Sequence, residues 1–232
     1  MIEENIACVK NKIADAARRA GRNPDEITLV CVTKNIDAET AREAIGAGIT
    51  DIGENRVQEA LSKNRVLHKS LADARQCSVA GELPNIKWHM IGHLQTNKVK
   101  DAVRIFDLIH SLDSVRLAEA IDKAAKNLNK VQDVLIEVNA SGEPSKFGVS
   151  PDETEKLLRD ISRLDNIKAR GLMAIAPIVD NPERARPYFR LLRELKDRVN
   201  NLQLLSMGMS QDYEVAIEEG SNIVRIGRAI FG

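Results

Sequence analysis

The sequence predicts one α/β domain over residues 1–232, a parallel (β/α)8 barrel with an extra helix at its N-terminus. Three observations lead there. Short β-branched runs alternate with longer amphipathic ones, with eight strand-like runs along the chain, and parallel strands need such crossovers. Those runs are nearly continuously apolar, as strands covered on both faces are. The chain has 232 residues and no break in composition, close to the ~250 typical of this barrel. An open doubly wound sheet is the competing arrangement, weakened because no GxGxxG follows the first strand.

The elements follow in order. Ile2, Ile6, Val9, Ile13 and Ala17 recur at helical spacing, and Gly21 ends that opening helix. Residues 27–34 (ITLVCVTK) read as the first strand. Asp37 caps a helix running through Thr40, Ala44 and Ile45 to Gly48. Residues 50–55 (TDIGEN) form a short second strand. A long polar helix starts near Val57 and meets a loop near Gly81–Pro84. Residues 86–92 (IKWHMIG) are the third strand, NKVKDAV its short helix, and 107–113 (DLIHSLD) the fourth strand. Val115, Ala118, Ile121, Ala125 and Leu128 share one helical face. Residues 134–140 (VLIEVNA) are the fifth strand, followed by the longest loop, SGEPSKFGVSP. Pro151 opens a helix that buries Leu157, Leu158, Ile161 and Leu164. Residues 167–175 are the sixth strand. A helix over 182–201 buries Phe189, Leu192, Leu195 and Val199, and 202–208 are the seventh strand. A helix over 212–219, closed by Gly220, leads to the eighth strand at 222–227.

Composition narrows the function. Charged residues balance at 34 against 34, without the basic excess of a nucleic-acid or polybasic membrane-surface protein. Aromatics are only 3%, too few for a base-stacking platform. No apolar run approaches the ~20 residues of a membrane span. The N-terminus carries acids where a signal peptide carries basics, so a cytoplasmic protein is expected. Cys8, Cys31 and Cys77 are odd in number and far apart, which indicates neither a disulfide framework nor a zinc site.

In such a barrel the chemistry sits at the C-terminal ends of the strands. There the sequence turns polar: Lys34, Asn55, His89, Ser111, Asn139, Met173, Ser206 with the following GMS, and Arg225 with Gly227. Lys34 leaves the run LVCVT, and a desolvated lysine amine attacks carbonyls; alternatively it begins a solvated loop. Gly208 and Ser210 precede a helix, and Gly227 makes a second small-residue turn. These are the strands where barrels frequently hold phosphate, although Ser210 also suits a plain helix cap. Arg225 lies between Val224 and Ile226, so it needs an internal carboxylate or a ligand atom as partner. His89 and His93 have the spacing of metal ligands, but on a strand end they need not face together, and no third ligand is evident. Lys146, in EPSKFG, is a rival lysine that reads as a solvated loop charge.

Several blocks carry a resemblance. VTKN (33–35 within it), GENRVQE (53–59), WHMIGHLQTNK (88–98), HSLDS (110–114), EPSKFG (143–148), GLMAI (171–175), LSMGMSQDYEVAI (205–217) and VRIGRAIFG (224–232) resemble the pyridoxal phosphate homeostasis proteins, the YggS/PROSC family. These are similar to the N-terminal barrel of alanine racemase without its second domain. The resemblance implies that Lys34 carries pyridoxal 5′-phosphate (PLP) as a Schiff base. It implies that Ser210 and the backbone of Met209, Gly227 and Arg228 hold the phosphate. Arg225 would lie against the pyridine nitrogen, Asn55 and His89 near the ring, and Ser206 behind the phosphate loop. Many relatives have a small residue where this chain has Arg228, so a side-chain hydroxyl contact there is absent. The resemblance also favours a monomer, because the racemase's dimer contacts lie in the domain these proteins lack.

Three activities fit an amine beside an anion cradle. A carrier of PLP, supplying apo-enzymes, needs only affinity and exchange. A racemase needs a second base facing the lysine; the two tyrosines, Tyr188 and Tyr213, fall on helices away from the strand ends. A Schiff-base aldolase shares the lysine and the phosphate site, but its lysine usually sits on a later strand. An arginine partner leaves the ring nitrogen unprotonated and the ring a weaker electron sink, which disfavours transamination. The reading that results is a PLP carrier with no catalytic residue assigned and no metal.

Overall fold

The computed structural model describes residues 1–76, 85–199 and 201–232. Cys77 and the loop expected near Gly81–Pro84 lie outside the described residues. Eight parallel strands close into one barrel in sequence order: β1 (Thr28–Val32), β2 (Asp51–Glu54), β3 (Lys87–Met90), β4 (Leu108–Leu112), β5 (Gln132–Glu137), β6 (Ile167–Met173), β7 (Leu204–Ser206) and β8 (Ile223–Ile226). The ring is sealed by β1 against β8, in register from Thr28↔Ile223 to Cys31↔Ile226. The crossovers are α2 (Ala38–Gly46), α3 (Val57–Gln76), α4 (Val99–Ile105), α5 (Val115–Lys126), α6 (Pro151–Ile161), α7 (Arg186–Arg198) and α8 (Tyr213–Glu218). The expected opening helix is α1 (Ile2–Arg19), and a last short helix, α9 (Arg228–Phe231), follows β8.

Local chemistry sets the boundaries. Asp37 accepts the Thr40 N–H at 2.8 Å and starts α2 as expected. Ser150 and Pro151 open α6, with Ser150 Oγ accepting from the Glu153 N–H. Several strands are shorter than their apolar runs. β1 stops at Val32 because residues 34 and 35 turn, with Asn35 at φ 60° and the Ile36 N–H donating to Thr33 O. The seventh strand shrinks to three residues, since Gln203 and Met207 bond to neighbours on opposite sides, Arg170 O and Ile223 O. The long helix expected over 182–201 is a 3-10 turn at Pro182–Ala185 followed by α7.

Strand alternation divides the interior in two. Outward residues such as Ile52, Trp88, Ile109, Ile136 and Val224 pack with the helices into one continuous apolar shell. Inward residues Val30, Leu108, Leu135, Met173 and Ile223 form a small separate cluster inside the ring. The remaining lumen is polar. α1 buries Ile6, Val9, Ile13, Ala16 and Ala17 against α8 and α9, and its Asn5 donates to Ile230 O at 2.9 Å.

Candidate functional site

The C-terminal strand ends surround a cavity of about 600 Å³, within the ~300–1,000 Å³ usual for small-molecule sites. Its wall includes Lys34, Asn55, Glu137, Arg225 and the turns at 209–212 and 227–228. The structure therefore brings together seven of the nine residues expected at the site: Lys34, Asn55, Met209, Ser210, Arg225, Gly227 and Arg228.

Lys34 is held from behind. The preceding Thr33 is fully buried; its N–H donates to Gly53 O at 3.0 Å, and its Oγ1 donates to Glu54 Oε1 at 2.5 Å. Lys63, reaching in from α3, donates to Thr33 O at 2.7 Å and pairs with the buried Glu54. This clamp fixes the backbone from which Lys34 projects. The Lys34 side chain itself is exposed, so its amine is reachable from solvent through the mouth. Asn55 is placed by a close crossing: a Cβ on Gly92 would fall 2.5 Å from Asn55 O, so only glycine lets β3's exit pass there.

The turns after β7 and β8 form one side of the cavity. Gly208 has φ +91° and packs so closely that a Cβ would lie 2.6 Å from Ala216 Cβ. Among the described residues, no hydrogen bond uses the N–H of Ser210, Gly227 or Arg228. Ser210 Oγ accepts from the Ala229 N–H at 3.4 Å, which ties the two turns together. The Met209 N–H, by contrast, is already donated to Asp212 Oδ1 at 2.6 Å. Burial pushes the Asp212 carboxyl upward, against the pull of the Met209 N–H and Arg225.

Arg225 enters the cavity from below and is only 4% exposed. Nη1 donates to Ser206 O at 2.7 Å and to Ser206 Oγ, and Nη2 donates to Ala174 O at 2.9 Å. Burial lowers its pKa to about 10, opposed by Glu137 and Asp212, so it stays a cation at neutral pH.

Glu137 is a wall residue that the sequence reading missed. It ends β5, is buried, and its Oε2 has no hydrogen-bond partner among the described residues. Burial, then the nearby Asp113, raise its pKa to about 7, while Arg225 pulls the other way. A carboxylate inside the apolar run VLIEV is the signal the sequence offers. Asn139 organises the following loop, donating to Glu143 O at 2.8 Å and accepting from the Gly142 N–H.

His89 and Ser206 do not line the cavity. Their side chains are spent lower in the barrel. His89 Nε2 lies 2.9 Å from Asp51 Oδ1 and its Nδ1 2.9 Å from His110 Nε2; His110 Nδ1 lies 2.9 Å from Ser206 Oγ. His93 points elsewhere, to the mouth, where it stacks on Phe147 at 4.0 Å, so it does not converge with His89. Met173 belongs to the lumen cluster and Ser111 is buried. Tyr188 and Tyr213 lie on α7 and α8, and neither these nor Lys146 lines the cavity.

Fold and cavity define a class: a (β/α)8 barrel with an amine, a buried arginine and unused backbone N–H groups at its mouth. The sequence profile of the alanine racemase N-terminal domain matches residues 5–232. The pyridoxal phosphate homeostasis protein of Aquifex aeolicus is 46% identical over 99% of this chain and 96% of its own length. That of Escherichia coli K12 is 40% identical over 100% and 96%. PipY of Synechococcus elongatus, solved with PLP bound, superposes with a TM-score of 0.83 at 32% identity, covering both chains fully. An alanine racemase of Clostridium difficile shares the fold over 56% of its own length, at TM-score 0.68 and 14% identity. The chain belongs to the pyridoxal phosphate homeostasis protein family, with the barrel of the alanine racemase N-terminal domain.

Proposed function

We propose that residues 1–232 act as one PLP-binding unit that takes up the cofactor reversibly and releases it to apo-enzymes in the cytoplasm, as a monomer. The observation that carries this reading is the shared cavity: an accessible Lys34, a buried cationic Arg225 and three unused N–H groups face one volume. These residues fit PLP's three handles, which are an aldehyde, a ring nitrogen and a phosphate. PLP supplies an electron-withdrawing ring and a carbonyl that condenses with amines.

The chain's own groups have separate tasks. Lys34 Nζ would take the place of the aldehyde oxygen, which leaves as water, and its exposure would keep that bond open to exchange. The N–H groups of Ser210, Gly227 and Arg228, with Ser210 Oγ, receive the phosphate. The Met209 N–H joins them only after Asp212 lets go of it. Arg225 would take the ring nitrogen and Asn55 would stand beside the ring; both line the cavity. No tyrosine lines this cavity among the described residues, and a carrier needs none.

The test is direct. The full-length chain mixed with PLP should turn yellow, and Lys34→Ala should abolish that absorption while the chain stays folded. Retention of the band by Lys34→Ala would move the attachment elsewhere, and a colourless wild-type chain would reject PLP binding.

A further inference from the structure

Five polar groups form a chain through the barrel lumen. Asp51 opens β2, His89 lies on β3, His110 on β4, Ser206 ends β7 and Arg225 lies on β8. Since β5 and β6 separate β4 from β7 in the ring, the His110–Ser206 bond must cross the lumen. The far end is at the opposite face from the cavity: Asp51 lines a cleft with Lys10, Asp25 and Thr50, at the N-terminal ends of the strands. All five side chains are buried.

The direction of every bond follows from one fixed donor. Arg225 has no acceptor atom, so Ser206 Oγ accepts from Nη1. The Ser206 proton then needs its own acceptor, and His110 Nδ1 is the group within reach. His110 must therefore carry its proton on Nε2 and donate to His89 Nδ1. His89 in turn carries its proton on Nε2 and donates to the Asp51 carboxylate. In this arrangement each proton has an acceptor, both histidines are neutral, and the two ends are an anion and a cation. A protonated His110 would leave the Ser206 proton without a partner. Burial, with the charge of Arg225, also holds His110 well below the usual histidine range.

We propose that Asp51, His89, His110 and Ser206 form a one-way hydrogen-bonded strut that spans the lumen and holds Arg225 fixed, as a donor, under the mouth. His110 and His89 are then positioning residues, acting through Arg225 without touching a ligand. The consequence for PLP rests on the reading that Arg225 faces the cofactor ring; the strut itself does not.

The experiment separates the two. The chain has four histidines, so ring-¹⁵N NMR of the full-length protein, with and without PLP and with single-histidine variants for assignment, reads each tautomer. His89 and His110 should both be neutral with the proton on Nε2. A proton on Nδ1 of either ring, or an imidazolium at His110, overturns the strut whether or not PLP binds. The second readout is the PLP complex. His110→Leu should weaken PLP binding about tenfold and shift its absorption maximum, from loss of one buried link; His110→Gln, which can donate and accept, should restore part of both. Correct tautomers with an unchanged spectrum and affinity in His110→Leu would overturn the positioning role. A wild-type chain that takes up no PLP would instead reject the functional reading and leave the tautomer result to decide the strut.

Discussion

The shell between barrel and helices and the lumen inside the barrel solve the same problem of burial in opposite ways. The shell is apolar and continuous, and its buried charge pair is Glu54 with Lys63, which also clamps Thr33. The lumen has only a small apolar cluster, and it invests the remaining positions in a chain of neutral and charged polar groups ending at Arg225. Shell burial is non-directional and stabilises the fold in proportion to area. Lumen burial is directional: each group is tolerable only because its neighbour satisfies it. The difference shows that here the outside of the sheet makes the barrel and the inside aims the site.

That comparison can be broken at its strongest point first. Lys63→Met strands the Glu54 carboxylate in the shell, where its Oε2 already lacks a partner. Leaving one member of a buried pair should destabilise by about 3–5 kcal/mol. Urea unfolding should show a lower midpoint with an unchanged slope. A loss below about 1 kcal/mol, within the range of exposed pairs, would show that the shell does not depend on this pair.

A smaller effect sharpens the lumen side, and it depends on pH. The carboxyl of Glu137 sits at about 7 against an ordinary 4.5. The folded chain therefore binds the proton that the unfolded chain has released between those values. The sign follows: this group's contribution is unperturbed below about 4.5, grows steadily more unfavourable as pH rises from there to about 7, and is constant above that. Glu137→Gln removes the penalty, so its stability gain over wild type should grow across that window, to at most about 3 kcal/mol from the linkage relation. Paired melts at pH 5 and pH 8 check it. A gain that is equal at both values would show that folding does not raise the Glu137 pKa, and a loss at pH 8 would mean that Glu137 is an ionised, stabilising partner of Arg225.

Legibility in the sequence divided along the same line. The barrel was readable because the shell writes a period onto the chain: Ala118, Ile121 and Ala125 of α5, and Leu192 and Leu195 of α7, mark their inward faces. Lys34, Ser210 and Arg225 were readable as cavity residues because Lys34 and Arg225 are polar at or near the end of an apolar strand, Ser210 follows one in a small-residue turn, and the barrel rule says where such ends meet. The lumen was not readable. His89 was singled out, but its height depends on strand register: it pairs with Gly53 and Leu108, a level below the mouth. Asp51 and His110 passed as ordinary strand residues, because the His110–Ser206 bond joins positions 96 apart that no local pattern relates. Glu137 was lost to a boundary, since the fifth strand was carried on to Ala140 and ends at Glu137.

The central claim is that the first strand delivers the attachment amine. Borohydride reduction of the PLP-treated full-length chain, followed by intact mass and peptide mapping, tests it most directly. A single added phosphopyridoxyl group, located on the peptide containing Lys34, is the predicted result. A label on Lys146 or another lysine with Lys34 unmodified, or no stable label, would contradict it.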